Sequence, residues 1–118
     1  MEIDIICVGK LKEAYWREAE KEYMKRLTRF ARVNITEIQE ENVRPGLSQK
    51  ETDRLLSVEG EKILSRIRGD SYAVSLAIKG KSYTSEGFAE FMDGLALHGK
   101  SRISFIIGSS YGLADEVL

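Results

Sequence analysis

Apolar residues along the chain change their spacing several times, and each change marks an element. Ile3, Ile5, Ile6, Cys7 and Val8 form a short apolar run ended by Gly9, the pattern of a buried strand. From Leu11 to Ala31 the period lengthens. Trp16, Ala19, Tyr23, Leu27 and Phe30 recur at three- and four-residue steps, which predicts an amphipathic helix. Val33 to Ile38 alternates and is β-branched, so it reads as a second strand. Residues 40–47 are polar and contain the single proline, Pro45, and form a loop. Ser48 followed by Glu51 matches a capping box. The helix it opens should run to about Arg68 with Leu56, Ile63 and Ile67 inward, and Gly69-Asp70 should end it. Tyr72 to Ile78 is a third strand and Gly80 turns the chain. Ser85 can cap a third helix that carries Phe88, Phe91, Met92 and Leu95 on one face, with Gly99 as its stop. Ile103, Phe105, Ile106 and Ile107 make a fourth strand, and a further helix should begin at Ala114. Strict β-α alternation implies an α/β fold, a mostly parallel sheet with helices on both faces.

Composition narrows the class. A chain of 118 residues fits one domain, and 42% apolar residues suffice for a core. The net charge of -1, from 18 basic and 19 acidic residues, neither demands nor excludes nucleic acid, because local clustering decides that. One cysteine rules out an intrachain disulfide and suits a reducing cytosol. The first residues are too short and too acidic a stretch for a signal peptide. No apolar run approaches the roughly 20 residues of a membrane helix. A soluble, cytoplasmic protein is expected.

Ligands of open α/β sheets bind outside the carboxyl ends of the strands. Two glycine-bearing turns fall there, residues 76–80 after strand three and 108–112 after strand four. They would border one pocket if those strands are neighbours. On residues alone they read equally well as ordinary turns, and neither carries a dinucleotide or Walker A fingerprint. Arg17, Lys21, Lys25 and Arg29 fall at four-residue steps along the first helix. They form a basic stripe that either contacts phosphates or is a solvated face, with Glu22 and Arg26 paired. The solvated face is the preferred reading for any single residue. Tyr15 and Tyr23 are expected to pack in the core rather than stack on bases. Cys7 reads as a small core residue. His98 and Cys7 lie too far apart in the pattern for a metal site, and Ser109 and Ser110 lack a base.

Longer strings are more specific. They are ICVGKLKEAYW at 6–16, EYMKRL at 22–27, EGEKIL at 59–64, LAIKGK at 76–81, TSEGFA at 84–89 and FIIGSSYGL at 105–113. In this order they closely resemble the ribosomal RNA large-subunit methyltransferase H family of the SPOUT class, over essentially the whole chain. The resemblance implies a small cytoplasmic homodimer with a SPOUT-type α/β knot fold. It implies methyl transfer from S-adenosylmethionine to N-3 of a pseudouridine in large-subunit ribosomal RNA on the assembled ribosome. It also implies cofactor contacts at Leu76 and Gly108.

Two positions depart from the family pattern. Ser109 stands where a second glycine is usual, and its side chain is expected to crowd the adenosine or shift the backbone. Tyr111 stands where a polar, non-aromatic residue is usual. Family members also continue for several tens of residues past the position of Leu118, through a segment that forms the knot, much of the cofactor pocket and the dimer face. The expectation is therefore a chain without its knot-forming C-terminal segment and without an assignable catalytic base. Two alternatives stay open beside the enzyme: a non-catalytic α/β module that dimerises or binds RNA, and a generic nucleotide-binding domain.

Overall fold

A computed structural model describes residues 1–40, 46–115 and 117–118. The loop expected around Pro45 lies mostly outside them. The described residues form four strands: β1 (Glu2–Val8), β2 (Arg32–Ile38), β3 (Tyr72–Ser75) and β4 (Arg102–Ile107). They form one sheet of order β2-β1-β4-β3, and every pairing is parallel. Alternating with them, the described residues form the helices α1 (Ala14–Leu27), α2 (Gln49–Arg66) and α3 (Ser85–Leu97). Among the described residues no helix is long and apolar enough to cross a membrane.

Strand order dictates where the helices go. The connections β1→β2 and β3→β4 step one way across the sheet, and β2→β3 steps back. Parallel crossovers share one hand, so opposite steps must lie on opposite faces. Contacts follow that rule. Ile63 of α2 packs with Ile6, Val8, Ile38 and Ile106 on one face. On the other face Phe88 and Phe91 of α3 meet Phe105 and Tyr72 at ring distances of 6.0 and 6.5 Å. α1 lies over Ile5, Cys7, Val33 and Ile35 on that second face. Ile6, Ile63, Ile103 and Ile106 are fully buried, each contributing about 1.5–3 kcal/mol of transfer free energy.

Local chemistry sets the boundaries, and several differ from the expected ones. The capping box of α2 is present: Ser48 Oγ accepts from the Glu51 amide, and the Glu51 carboxylate from the Ser48 amide. Its inward stripe is Leu55, Glu59, Gly60 and Ile63, whereas Leu56 is only half-buried. α1 starts later than Leu11, at Ala14 after an N-cap without a side-chain hydrogen bond. It stops before Ala31, where Thr28 Oγ1 donates to the Lys25 carbonyl at 2.7 Å and competes with the helix pattern. α3 is capped by Thr84, not Ser85: Thr84 Oγ1 accepts from the Gly87 amide at 2.9 Å. It ends at a left-handed Gly99 (φ 78°), with the Gly99 and Lys100 amides turned back to Ala96 and Leu95, a Schellman motif. β3 is an edge strand whose ladder runs out at Ser75↔Ile106, so Leu76 to Ile78 leave the sheet. Among the described residues beyond Ala114 there are turn residues and no helix, with the Val117 amide bonded to the Ala114 carbonyl at 3.0 Å. A single turn fixes several dihedrals for few hydrogen bonds.

Candidate functional site

The carboxyl ends of all four strands lie along one edge because the sheet is parallel. At this edge the chain splits. The segments after β1 and β3 depart toward the face of α1 and α3. The segment after β4 turns the other way, where Leu113 and Val117 pack against the cluster around Ile6 and Ile106. A crevice opens where neighbouring connections diverge in this manner, which places the candidate site at the end of β4.

β3 and β4 are neighbours, so the two glycine turns share this edge. The Leu76 amide donates to the Ile106 carbonyl at 2.9 Å and carries the pairing one step beyond β3. Leu76 therefore sits within a register step of Gly108. Its side chain is more than half exposed and lines a groove of about 520 Å³ with Ala77, Ile78, Gly80 and Phe88. Gly108 does not line that groove. Its own loop explains why it is glycine: an added Cβ would run into the Gly112 carbonyl oxygen and lie 2.8 Å from Leu113 Cδ2. The loop is closed by the Gly112 amide, which donates to the Ser109 carbonyl at 2.9 Å.

Ser109, expected to crowd the adenosine or shift the backbone, turns its hydroxyl toward α2 and donates to Glu59 Oε1 at 2.8 Å. Glu59 is buried. Residue patterning did not single it out, yet a signal was present: a carboxylate four residues from both Leu55 and Ile63, inside the apolar stripe. Tyr111 remains exposed at the tip of the turn.

Arg17, Lys21, Lys25 and Arg29 are all exposed. The first three lie on α1; Arg29 follows its end. Lys21 approaches Glu18 at 3.7 Å, and the expected Arg26–Glu22 pair forms at 3.0 Å. Such exposed pairs contribute little, so the stripe's charge is available to solvent. Tyr15 and Tyr23, expected to pack in the core, are not there. Tyr15, Trp16, Tyr23 and Phe30 are each more than half exposed, and no residue of α1 is buried. The helix stands off the sheet over an apolar groove of about 530 Å³. Cys7 lies in that groove, where burial, followed by the charges of Glu37 and Glu20, pushes its thiol pKa up.

Comparison with known proteins settles the class. The family model described as "Predicted SPOUT methyltransferase" matches residues 1–118. This chain belongs to the SPOUT methyltransferase family. Curated relatives named ribosomal RNA large subunit methyltransferase H match it throughout. Those from Clostridium acetobutylicum and Carboxydothermus hydrogenoformans are 48% and 45% identical over 118 residues. The Bacillus pumilus protein is 45% identical over the same length. Each alignment takes in 100% of this chain and 74% of the relative. The SPOUT chain is thus an enzyme of the methyltransferase class, and its four-stranded parallel sheet with helices on both faces agrees with that assignment.

Proposed function

We propose that this methyltransferase uses S-adenosylmethionine to methylate N-3 of a pseudouridine in large-subunit (23S) ribosomal RNA, acting on the assembled ribosome as a cytoplasmic homodimer. The observation that carries the reading is the match of the whole chain to relatives named for a ribosomal RNA large-subunit methyltransferase.

The residues at the β3–β4 edge fit such a donor. Leu76 and Ile78 present exposed apolar surface to a groove lined mainly, though not only, by apolar side chains, which suits a purine ring. The Gly108–Gly112 loop brings backbone close to the same edge with little side-chain bulk. Leu76 and Gly108 are the residues assigned to hold the donor, which supplies an electrophilic methyl group on a sulfonium. The acceptor nitrogen carries a proton that must leave, and no residue at this edge is assigned to take it. Holding donor and acceptor in reach is the contribution of the chain's own residues. Arg17, Lys21, Lys25 and Arg29 are assigned to RNA phosphates, with strength that falls as salt rises. The exposed apolar flank of α1 suits a partner surface, in keeping with a dimer.

The test is methyl transfer to ribosomes from cells lacking this modification, with mapping of the modified position. Incorporation at a pseudouridine N-3 is expected. Folded protein that binds S-adenosylmethionine but leaves such ribosomes unmodified overturns the substrate assignment. Failure of calorimetric titration to detect donor binding overturns the cofactor assignment.

A further inference from the structure

Glu59 is the one buried acidic side chain among the described residues. It occupies the inward stripe of α2, between Leu55 and Ile63, where an apolar residue would pack without any desolvation cost. A carboxylate taken from water needs hydrogen-bond donors to offset that cost. One of them is Ser109 Oγ, at 2.8 Å, in the loop that follows β4.

The loop beyond that contact is tightly determined. The Ser109 carbonyl accepts the Gly112 amide at 2.9 Å, and Ser109 Oγ lies 3.4 Å from the Tyr111 amide. Gly112 takes a left-handed conformation (φ 96°), and its carbonyl closes over Gly108, leaving no room for a Cβ there. α2 is in turn fixed to the sheet through Ile63, which packs in the core with Ile106. A continuous path thus runs from the core through α2, Glu59 and Ser109 to the turn that shapes the end of β4.

We propose that Glu59 is a positioning residue: through Ser109 it pins the Gly108–Gly112 loop and thereby sets the donor-binding edge. The proposal rests on the reading that this edge holds S-adenosylmethionine. Glu59 does not touch the donor in this account. It acts by holding the loop in the one conformation that leaves Gly108 beside Leu76. The carboxylate accepts from the serine hydroxyl, and a glutamine in its place keeps an oxygen able to do the same. An alanine does not.

Two measurements on the full chain test this. Amide hydrogen exchange at Gly112, followed by NMR without ligand, reads whether the loop is pinned. Calorimetric titration with S-adenosylmethionine reads the donor edge. Glu59→Ala and Ser109→Ala are each expected to speed Gly112 exchange and weaken donor binding by about tenfold, the scale of one hydrogen bond to a charged group. Glu59→Gln should stay within about twofold of the parent protein, because the acceptor oxygen is retained. The double variant should be no worse than the worse single one, since both remove the same contact. Exchange and affinity at parental levels in Ser109→Ala overturn the proposal, and that variant decides the question if Glu59→Ala does not fold. Effects of the two single substitutions that multiply in full also overturn it. Should the parent protein bind no S-adenosylmethionine, the cofactor assignment fails, while the exchange measurement still decides whether Glu59 pins the loop.

Discussion

Gly108 shows how little tolerance a single position can have. A Cβ there meets a backbone carbonyl that closes its own loop, and backbone cannot swing aside as a long side chain can. Gly108→Ala should therefore destabilise the fold by about 1–3 kcal/mol, the usual cost of overpacking, and weaken donor binding as the loop shifts. Urea denaturation and calorimetry check the two effects; unchanged stability would mean that the loop adapts. Cys7 makes the opposite case, a reactive group kept quiet by its surroundings. Its thiol pKa is raised, first by burial and then by Glu37 and Glu20. The folded state then holds the proton more tightly than the unfolded one. Any stability linked to Cys7 is fully present below the unfolded pKa of about 8.5, and it declines as pH rises through the higher folded value. A disulfide reagent at pH 8 should label the native protein more slowly than the urea-unfolded chain, because thiolate is the reacting species. Equal rates would contradict the raised pKa.

Helix starts carry the clearest lesson at the scale of elements. Thr84 and Ser85 are adjacent hydroxyl residues, both acceptable caps by type, and only the observed Gly87 amide contact separates them. Thr84→Ala should cost about 1 kcal/mol, within the usual range for losing an N-cap. Ser85→Ala should change stability by less than about 0.5 kcal/mol. A larger loss for Ser85 in thermal denaturation would reverse the assignment of the cap. The same pair shows what patterning reads well and what it does not. The parallel α/β alternation, the Ser48–Glu51 box and the Gly99 stop were legible because each depends on neighbours in the sequence. Leu76 and Gly108 were assigned from the family strings, and the glycine turns from composition. Their shared edge follows from β3 pairing with β4, which is a long-range fact. The shortened β3 and the late start of α1 were not legible. One depends on where a partner strand ends, the other on a turn that no local cap announces. Glu59 was missed because a glutamate in a helix is usually assigned to solvent, and the contact with the distant Ser109 that favours it inside is not visible in local patterning.

The molecule as a whole is asymmetric in burial. The face under α2 holds the tight cluster of Ile6, Ile63 and Ile106, while α1 and α3 contribute no fully buried residue. The radius of gyration of 15.4 Å exceeds the ~13.5 Å expected for a compact chain of this length, in line with a helix standing off its sheet. That loosely packed helix also carries the basic stripe, while Trp16 and Tyr23 line the groove between it and the sheet. If the stripe contacts ribosomal RNA, its contribution is mainly release of counterions, and each phosphate contact adds roughly 0.7–0.9 to the salt slope. Replacing Arg17, Lys21, Lys25 and Arg29 together by glutamine should flatten the plot of log affinity against log salt by about 3, the sum over four such contacts. Stability should barely move, because all four side chains are exposed and the Lys21–Glu18 ion pair is weak. Affinity for S-adenosylmethionine should also hold, because none of the four lies among the residues at the end of β3 and β4. A filter-binding series on a ribosomal RNA fragment at several salt concentrations measures the slope. An unchanged slope would assign the stripe to solvent and move the RNA-binding surface elsewhere on the molecule, while leaving the donor edge as described.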